Sequence, residues 1–514
     1  MNQYWGVDAD PTAQGRIKGA KPVAVLDIGS NSVRLVVYER HARSLTPLYN
    51  EKSACALGRG VAASGKLAYE NIDRALTAIQ RFALVTKLMK VGKVYVLATS
   101  AVREASNSKG FVDAVEEIMG SKVQVLSGAE EAHFAALGVL AGIPGFVGVV
   151  GDLGGGSLEL SAMNAGLDSP GETHELGVIR MQDDSASSVT KAQSLARHRL
   201  KSSDVLKGKA GGVFCAIGGT WRSLAKLHQE LRDYPLHMVQ HYEAPAPDIL
   251  EMCEEIVEQY AGGKTYVGAE HLSSSRRELV PYGAAVLAEV LKIGKYDKVV
   301  FSALGVREGY LYALLEDRER RVDPLQQGAE EVNTLRSRSP GHAQDLIDFS
   351  AAFLTAIGVR ETADELRLRR VACYLADIGW RGHPDYRGEQ SVDMIAYGSL
   401  TGVDHPGRAF LAEVLSVRYM GLKHKSKNQA ALLALSSPAA SMKARLIGAI
   451  MRVAYPMSAA MPGILPRASF SLVNGALLLH LPEDLAFLDG EHLQGRLDQL
   501  AGVAGIKTAR VVAG

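Results

Sequence analysis

At 514 residues the chain is too long for one core, and two to four domains are expected. Its composition, 47% hydrophobic, 22% charged and 6% aromatic, is that of a globular protein. The net charge of +1 excludes a global field that would draw in a polyanion, so any phosphate-chain or nucleic-acid site has to be a local patch, and no DNA partner is expected.

Residues 1–20 read as a flexible tail; they are polar and lack an apolar signal core, so secretion is not expected. Cys55, Cys215, Cys253 and Cys373 are far apart and form no C-x-x-C pair, which fits reduced thiols in a cytoplasmic protein. From Val23 to Tyr38, two β-branched runs flank a Gly/Ser turn, VAVLDIGSNSVRL (23–35). A helix follows at about 68–90, with apolar residues at Ile72, Leu76, Ile79 and Ala83. Then come a strand at 93–100, a helix at about 108–119, a strand at 122–127 and a helix starting near Ala129. Strands alternating with helices predict an α/β lobe over 21–140.

The apolar stretch 134–150 is broken by glycines and a proline, so it predicts a helix end, a turn and a strand rather than a membrane span. A second lobe is expected over 141–320, with strands at 147–152, 157–163, 172–176, 213–217 and 298–303. Its helices are expected near 188–201, 219–230, 246–261 and 281–293, and a last one from 306. Residues 321–341 are charged, poor in large apolar residues and carry prolines, which predicts a linker. A mostly helical domain follows over 342–514, with a small strand element from SFSLVNGALLLHL (469–481) and TARVV (508–512).

The segment VGVVGDLGGGSLEL (147–160) repeats the plan of 23–35: a hydrophobic run, an Asp, a small-residue turn and a second hydrophobic run. Each predicts a β-hairpin with an acid at the end of its first strand, and two of them suggest paired lobes facing each other across a cleft. After Asp27, the Gly29–Ser30–Asn31–Ser32 turn either caps itself with Asx and Ser hydrogen bonds or offers N–H groups to an anion. After Asp152, the glycines Gly154, Gly155 and Gly156 before Ser157 are entropically unfavourable for a plain hairpin, so something has to approach that backbone closely. Asp152 and Glu159 lie on opposite arms of the turn, and two carboxylates there suit Mg²⁺ shared with phosphate oxygens, with Asp27 as the matching acid of the first hairpin. Neither loop is a P-loop or a dinucleotide fingerprint, because the lysine and the spacing are absent.

In SGAEEAHF (127–134), Ser127 and Glu130 form a capping-box pattern that leaves Glu131 unassigned and available to deprotonate a water. Arg103, just after a strand, can clamp a phosphate or pair with an acid, and Arg34 is a weaker candidate of the same kind. Gly218, Gly219 and Thr220 in AIGGT offer either a strand-to-helix turn or a phosphate site at a helix N-terminus.

Together VAVLDIGSNSVRL, ATSAVRE, VLSGAEEA, GVVGDLGGGSLEL, AIGGT and VFSALGVREG resemble the exopolyphosphatase/guanosine pentaphosphate phosphohydrolase family of the actin-like ATPase-domain superfamily, over roughly residues 20–315. The resemblance implies two ribonuclease-H-like lobes around a cleft and a homodimer. It implies that Glu131 activates the attacking water, Asp152 and Glu159 hold a divalent metal, Asp27–Ser32 and Gly154–Ser157 bind phosphate, and Arg103 contacts phosphate. The expected activity is Mg²⁺-dependent removal of the terminal phosphate of inorganic polyphosphate, with guanosine pentaphosphate as the alternative substrate. Rivals are a non-catalytic nucleotide or polyphosphate sensor and a sugar- or acetate-kinase-like ATPase. The C-terminal part resembles the family's domain related to HD phosphohydrolases, but Ala376 stands where a metal-binding His would precede Asp377. A second metal site is therefore not expected, and His342, His383 and His405 are expected to be structural or surface residues. The stretch 418–429 reads as part of a basic path or as a solvated loop.

Overall fold

The computed structural model describes residues 16–164, 167–168, 170–207, 211–423 and 427–514. Most of the expected tail and part of the 418–429 stretch lie outside these residues. The chain divides between Val322 and Asp323 into two units.

In the first unit, β1 (Val23–Ile28), β2 (Ser32–Tyr38), β3 (Pro47–Ala54), β4 (Lys93–Ala98) and β5 (Val123–Val125) form a sheet in the order β3-β2-β1-β4-β5. β1 runs antiparallel to β2 and parallel to β4. A second sheet contains β6 (Gly148–Leu153), β7 (Leu158–Asn164), β8 (Leu167–Asp168), β9 (Glu172–His174), β10 (Val213–Ile217), β11 (Tyr242–Pro245) and β12 (Lys298–Phe301). Its order is β11-β12-β10-β6-β7-β8, with β9 also on β7. Here β6 is antiparallel to β7 and parallel to β10, so the second lobe repeats the hairpin-plus-crossover arrangement of the first. The central strands are buried almost throughout because helices cover both faces, and this is why they read as continuous apolar runs.

The helices Tyr69–Leu88, Ser108–Met119, Val189–Leu200, Gly219–Leu231 and Ala246–Ala261 lie where the apolar spacing puts them. The helix expected at 281–293 begins at Ser274 and carries Pro281 inside it, where burial of the following apolar face outweighs the missing backbone bond. The helix expected from 306 ends at Ala313, and a short separate turn follows at Asp317–Arg320.

Two helices fix the site. Gly128–Gly142 and Val306–Ala313 pack so closely that a Cβ on Gly309 would stand 1.7 Å from the Phe134 carbonyl oxygen and one on Gly138 2.2 Å from that of Gly305. Leu311 also joins the core formed by Val25, Val36 and Leu97 under the first sheet. The last helix of the second lobe thus returns to the first and carries its N-terminus into the space between them.

The second unit is mostly helical. Its first helix, Pro324–Arg336, falls in the expected linker. Asp323 caps it, accepting from the Leu325 N–H, Pro324 occupies the first turn, and Leu325 and Ala329 are fully buried. The strand element comprises β13 (Ser469–Val473), β14 (Ala476–Leu481) and β15 (Thr508–Ala513). β14 and β15 are parallel, and the helix Glu491–Val503 is their crossover.

Candidate active site

The hairpin tips of the two lobes touch. Both close in the same way: the Gly29 N–H donates to the Ser32 carbonyl at 3.1 Å, and the Gly154 N–H to that of Ser157 at 3.0 Å. A Cβ on Gly155 would stand 3.0 Å from the Ser30 Cβ, and one on Gly156 2.6 Å from the Ser100 Oγ. Ser30 and Ser100 hydroxyls are hydrogen-bonded at 2.8 Å. None of the three glycines has a positive φ, so Gly155 and Gly156 are bare because the other lobe's serines need the space.

Gly29, Ser30, Asn31, Ser32, Gly154, Gly155, Gly218, Gly219 and Thr220 line one cleft together with Asp27, Asp152 and Glu131. Four predicted residues do not. Gly156 faces Ser100 in a separate small crevice, Ser157 is buried and serves to close its turn, Glu159 is buried behind the wall, and Arg103 pairs with Glu131. The Arg103 guanidinium donates to the Leu126 carbonyl at 2.7 Å and to Glu131 Oε2 at 3.0 Å. It therefore holds Glu131 in place.

Ser127 accepts from the Glu130 N–H at 3.2 Å, and Glu130 Oε2 accepts from the Ser127 N–H at 2.8 Å, a complete capping box. Glu130 is thereby used for the helix, and the next residue, Glu131, is left to the cleft at 7% exposure. Burial raises its carboxyl to about 7, against the pull of Arg103.

Asp152 and Glu159 are direct cross-strand partners on β6 and β7, so their side chains share one face of the sheet. Burial raises Asp152 to about 6, with Arg222 opposing. Glu159 is 1% exposed and stands behind the cleft wall. Neither of its oxygens makes a well-formed hydrogen bond among the described residues, and burial, followed by repulsion from Glu131, pushes its carboxyl far up, with the nearby Ser157 hydroxyl opposing. A sealed carboxylate this poorly supplied with donors suits a cation. Among the described residues no three His, Cys, Asp or Glu side chains cluster as a metal cage. Mg²⁺ does not need one: it commonly takes one or two carboxylates and completes its shell with water and phosphate oxygens. Asp152 and Glu159 fit that requirement. Asp27 fits it less well, because its Oδ2 accepts from Arg307 Nη1 at 2.7 Å.

Five cations line the cleft among the described residues: Arg34, Lys52, Arg222, Arg276 and Arg307. Apart from Arg34, they carried no signal in the sequence. Arg307 lies within the quoted VFSALGVREG, and Arg222 is two residues past AIGGT. Burial pulls Arg307 down, but Glu308 and Asp27 outweigh it and raise it overall. Glu308 is itself held by the Tyr38 hydroxyl at 2.6 Å and the Gly305 N–H at 3.0 Å. Arg222 is lowered to about 10, first by burial and then by Arg307 and Arg34. Lys52 meets solvent in the cleft, yet the enclosing walls and then Arg276, Arg34 and Arg222 lower it to about 8. Arg34, Lys52 and Arg222 are thus each weakened by cationic neighbours as well as by burial.

In the second unit, Asp377 is saturated: Arg338 donates to it from Nη2 at 2.6 Å, from Nε at 2.9 Å and from its backbone N–H at 3.2 Å. His342 is buried against the Ser458 hydroxyl at 2.8 Å, His405 is buried, and His383 is exposed. The four cysteines are buried and free. Among the described residues no helix is long and apolar enough to cross a membrane.

The model of the Ppx/GppA phosphatase family matches residues 36–318, more than half of the chain. The chain belongs to the Ppx/GppA phosphatase family. A second model, described as the C-terminal part of exopolyphosphatase, matches residues 325–511. It is 27% identical over 289 residues to Exopolyphosphatase 2 of Mycobacterium tuberculosis, covering 52% of this chain and 90% of the relative. Exopolyphosphatase 1 of Mycobacterium bovis is 33% identical over 143 residues, covering 27% of this chain and 42% of the relative. Among solved structures, a Ppx/GppA family member from Aquifex aeolicus is 22% identical with a TM-score of 0.47, covering 57% of this chain and 96% of that one. An exopolyphosphatase from Cytophaga hutchinsonii is 23% identical with a TM-score of 0.47, covering 57% of this chain and 97% of that one.

Proposed function

We propose that this Ppx/GppA phosphatase is an exopolyphosphatase, releasing orthophosphate from the end of inorganic polyphosphate. One observation carries the reading: an arginine-held, desolvated Glu131 faces a cleft built from two touching Gly/Ser loops and lined by five cations against three carboxylates. Such a cleft binds a dense anion and offers it a base.

In this reading the terminal phosphate lies against the N–H groups of Gly29–Ser32 and Gly154–Gly155, whose dipoles compensate charge without rearranging. Arg103 fixes the Glu131 carboxylate, which accepts a proton from the attacking water. Glu131 near neutrality is matched to that task, since a base of much lower pKa would accept the proton weakly. Arg222 and Arg307 stabilise the oxygens that gain charge as the anhydride bond breaks. Asp152 and Glu159 would hold Mg²⁺, which when bound shields the phosphate oxygens from the acids.

No aromatic ring lines the cleft among the described residues, and this favours an inorganic chain over a nucleotide whose base would need stacking. Guanosine pentaphosphate presents the same terminal bond and is the second substrate to test. The experiment is phosphate release from long polyphosphate, short polyphosphate and guanosine pentaphosphate, with and without Mg²⁺. Glu131→Gln is expected to lose on the order of a hundredfold or more in turnover while still binding the chain. Near-normal turnover in that variant would remove Glu131 from the mechanism.

A further inference from the structure

The first lobe has a second opening, at the other end of its sheet from the hairpin tip. β1 runs from Val23 to Ile28, and the tip follows Ile28. Val23 therefore lies roughly 17 Å from the tip end of the strand. There Val23 pairs with Tyr38 on β2 and with Lys93 on β4. Lys21 stands two residues before Val23 and Arg40 two residues after Tyr38, so three neighbouring segments each bring a cation to one edge. Lys18 adds a fourth, and with the apolar Ile17 and Pro22 they line a cavity of about 510 Å³. That volume lies within the roughly 300–1,000 Å³ of small-molecule sites.

No acid lines this cavity among the described residues. Glu39, next to Arg40, is 2% exposed and already accepts from Arg16 Nε at 2.7 Å and from the Ile17 N–H at 3.1 Å. Those bonds anchor the segment carrying Lys18 and Lys21 and spend the one nearby carboxylate on Arg16. Lys18, Lys21 and Lys93 are exposed, and no ion pair involves them among the described residues. Cations gathered without a counter-charge beside an apolar wall favour an anion with an apolar body.

The loop after β2 joins this cavity to the active site. His41 lines the cavity, and its Nε2 donates to the Leu311 carbonyl at 2.7 Å. Leu311 belongs to the helix Val306–Ala313, whose first turn carries Arg307. Two residues on, Arg43 donates from Nη1 to the Ala141 carbonyl at 2.7 Å. Ala141 lies in the last turn of the helix Gly128–Gly142, whose first turn carries Glu131. One loop thus holds the far ends of both helices that deliver Glu131 and Arg307 to the cleft.

We propose that this cavity is an effector site for a small phosphomonoester, a dianionic phosphate on a partly apolar body, whose binding changes turnover in the cleft through residues 40–43. Lys21 and Lys93 grip the phosphate with charge-assisted hydrogen bonds, and Ile17 and Pro22 cover the body. The occupant alters turnover to the extent that it binds one arrangement of the loop better than another.

The test titrates the full chain with AMP, which has no anhydride bond for the cleft to cut, and separately with orthophosphate and adenosine. By calorimetry AMP is expected to bind at one equivalent, and each of its two parts at least tenfold more weakly. Lys21→Met combined with Lys93→Met should weaken AMP on the order of tenfold or more, the loss of hydrogen-bonded charge. Lys21→Arg with Lys93→Arg keeps the charge and should restore most of the affinity, which separates a charge effect from a folding defect. Arg222→Met, in the cleft, should leave AMP binding within about twofold. At saturating polyphosphate, AMP should change kcat at least about twofold, and the double Met variant should keep the AMP-free rate and lose the response. Absent AMP binding, binding untouched by the Met pair, or binding lost in Arg222→Met overturns the site. Binding with an unchanged kcat overturns its effector role. The binding arms use no polyphosphate, so failure of the site and failure of the substrate reading above are told apart.

Discussion

Glu159 in the N-terminal unit and Asp377 in the C-terminal unit are both nearly sealed from water, 1% and 5% exposed. Their situations are opposite. Glu159 makes no well-formed hydrogen bond from either oxygen among the described residues, and the acids Glu131 and Asp152 act on it more strongly than Arg103 does. Asp377 receives three hydrogen bonds from Arg338, with Arg418 a further 3.9 Å away and stacked over Tyr455. The first acid is kept at a loss to the fold, as the proposed metal site would require. The second has its counter-ion built into the chain, in the domain whose His-Asp pattern is broken at Ala376. The proposed site is frustrated, and the Asp377 cluster is saturated.

The largest effect that would break this contrast is at Glu159. Glu159→Gln removes a stranded charge, so the metal-free protein should melt a few degrees higher, while phosphate release should fall on the order of a hundredfold or more. A variant that is less stable and fully active would mean that Glu159 is an ordinary buried acid.

Asp377→Asn should do the reverse, leaving Arg338 without its charge partner. We expect a loss of about 3 kcal/mol in denaturant unfolding of the C-terminal unit. A loss within error would show that the cluster is not what holds these helices.

The two units should also respond to pH in opposite senses. His342 is lowered from 6.5 to about 4 by burial, so between these values the unfolded chain binds the extra proton. C-terminal stability is then complete above pH 6.5 and declines toward pH 4, by about 2 kcal/mol after allowance for solvent screening. Glu131 is raised from 4.5 to about 7, so its contribution is complete below pH 4.5 and is lost as pH rises through 7. Trp221 and Trp380 report on the separate units by fluorescence. His342→Gln should flatten one slope and Glu131→Gln the other; parallel slopes in the parent protein would refute the assignment.

The smallest expected effect concerns the tips that bring the acids together. Gly156→Ala pushes a methyl against Ser100 and should cost about 1 kcal/mol, with reduced turnover. Gly154→Ala meets only the Ser157 carbonyl at 3.4 Å and should stay within about 0.5 kcal/mol of the parent protein by thermal melting.

The sequence by itself determined the two hairpins, the alternation of strands and helices, and the division of labour between Glu130 and Glu131. All of these are set by hydrogen bonds and periodicities within a few residues, as the completed Ser127–Glu130 box illustrates. Tertiary structure alone decided that Lys52, Arg222, Arg276 and Arg307 converge, that Arg103 serves Glu131, and that Gly155 and Gly156 are bare for the serines of the other lobe. A lone cation has no local signature, because Coulomb interactions depend on distance in space and not along the chain. Residues 52 and 276 become neighbours only after two separate sheets have formed and closed on each other.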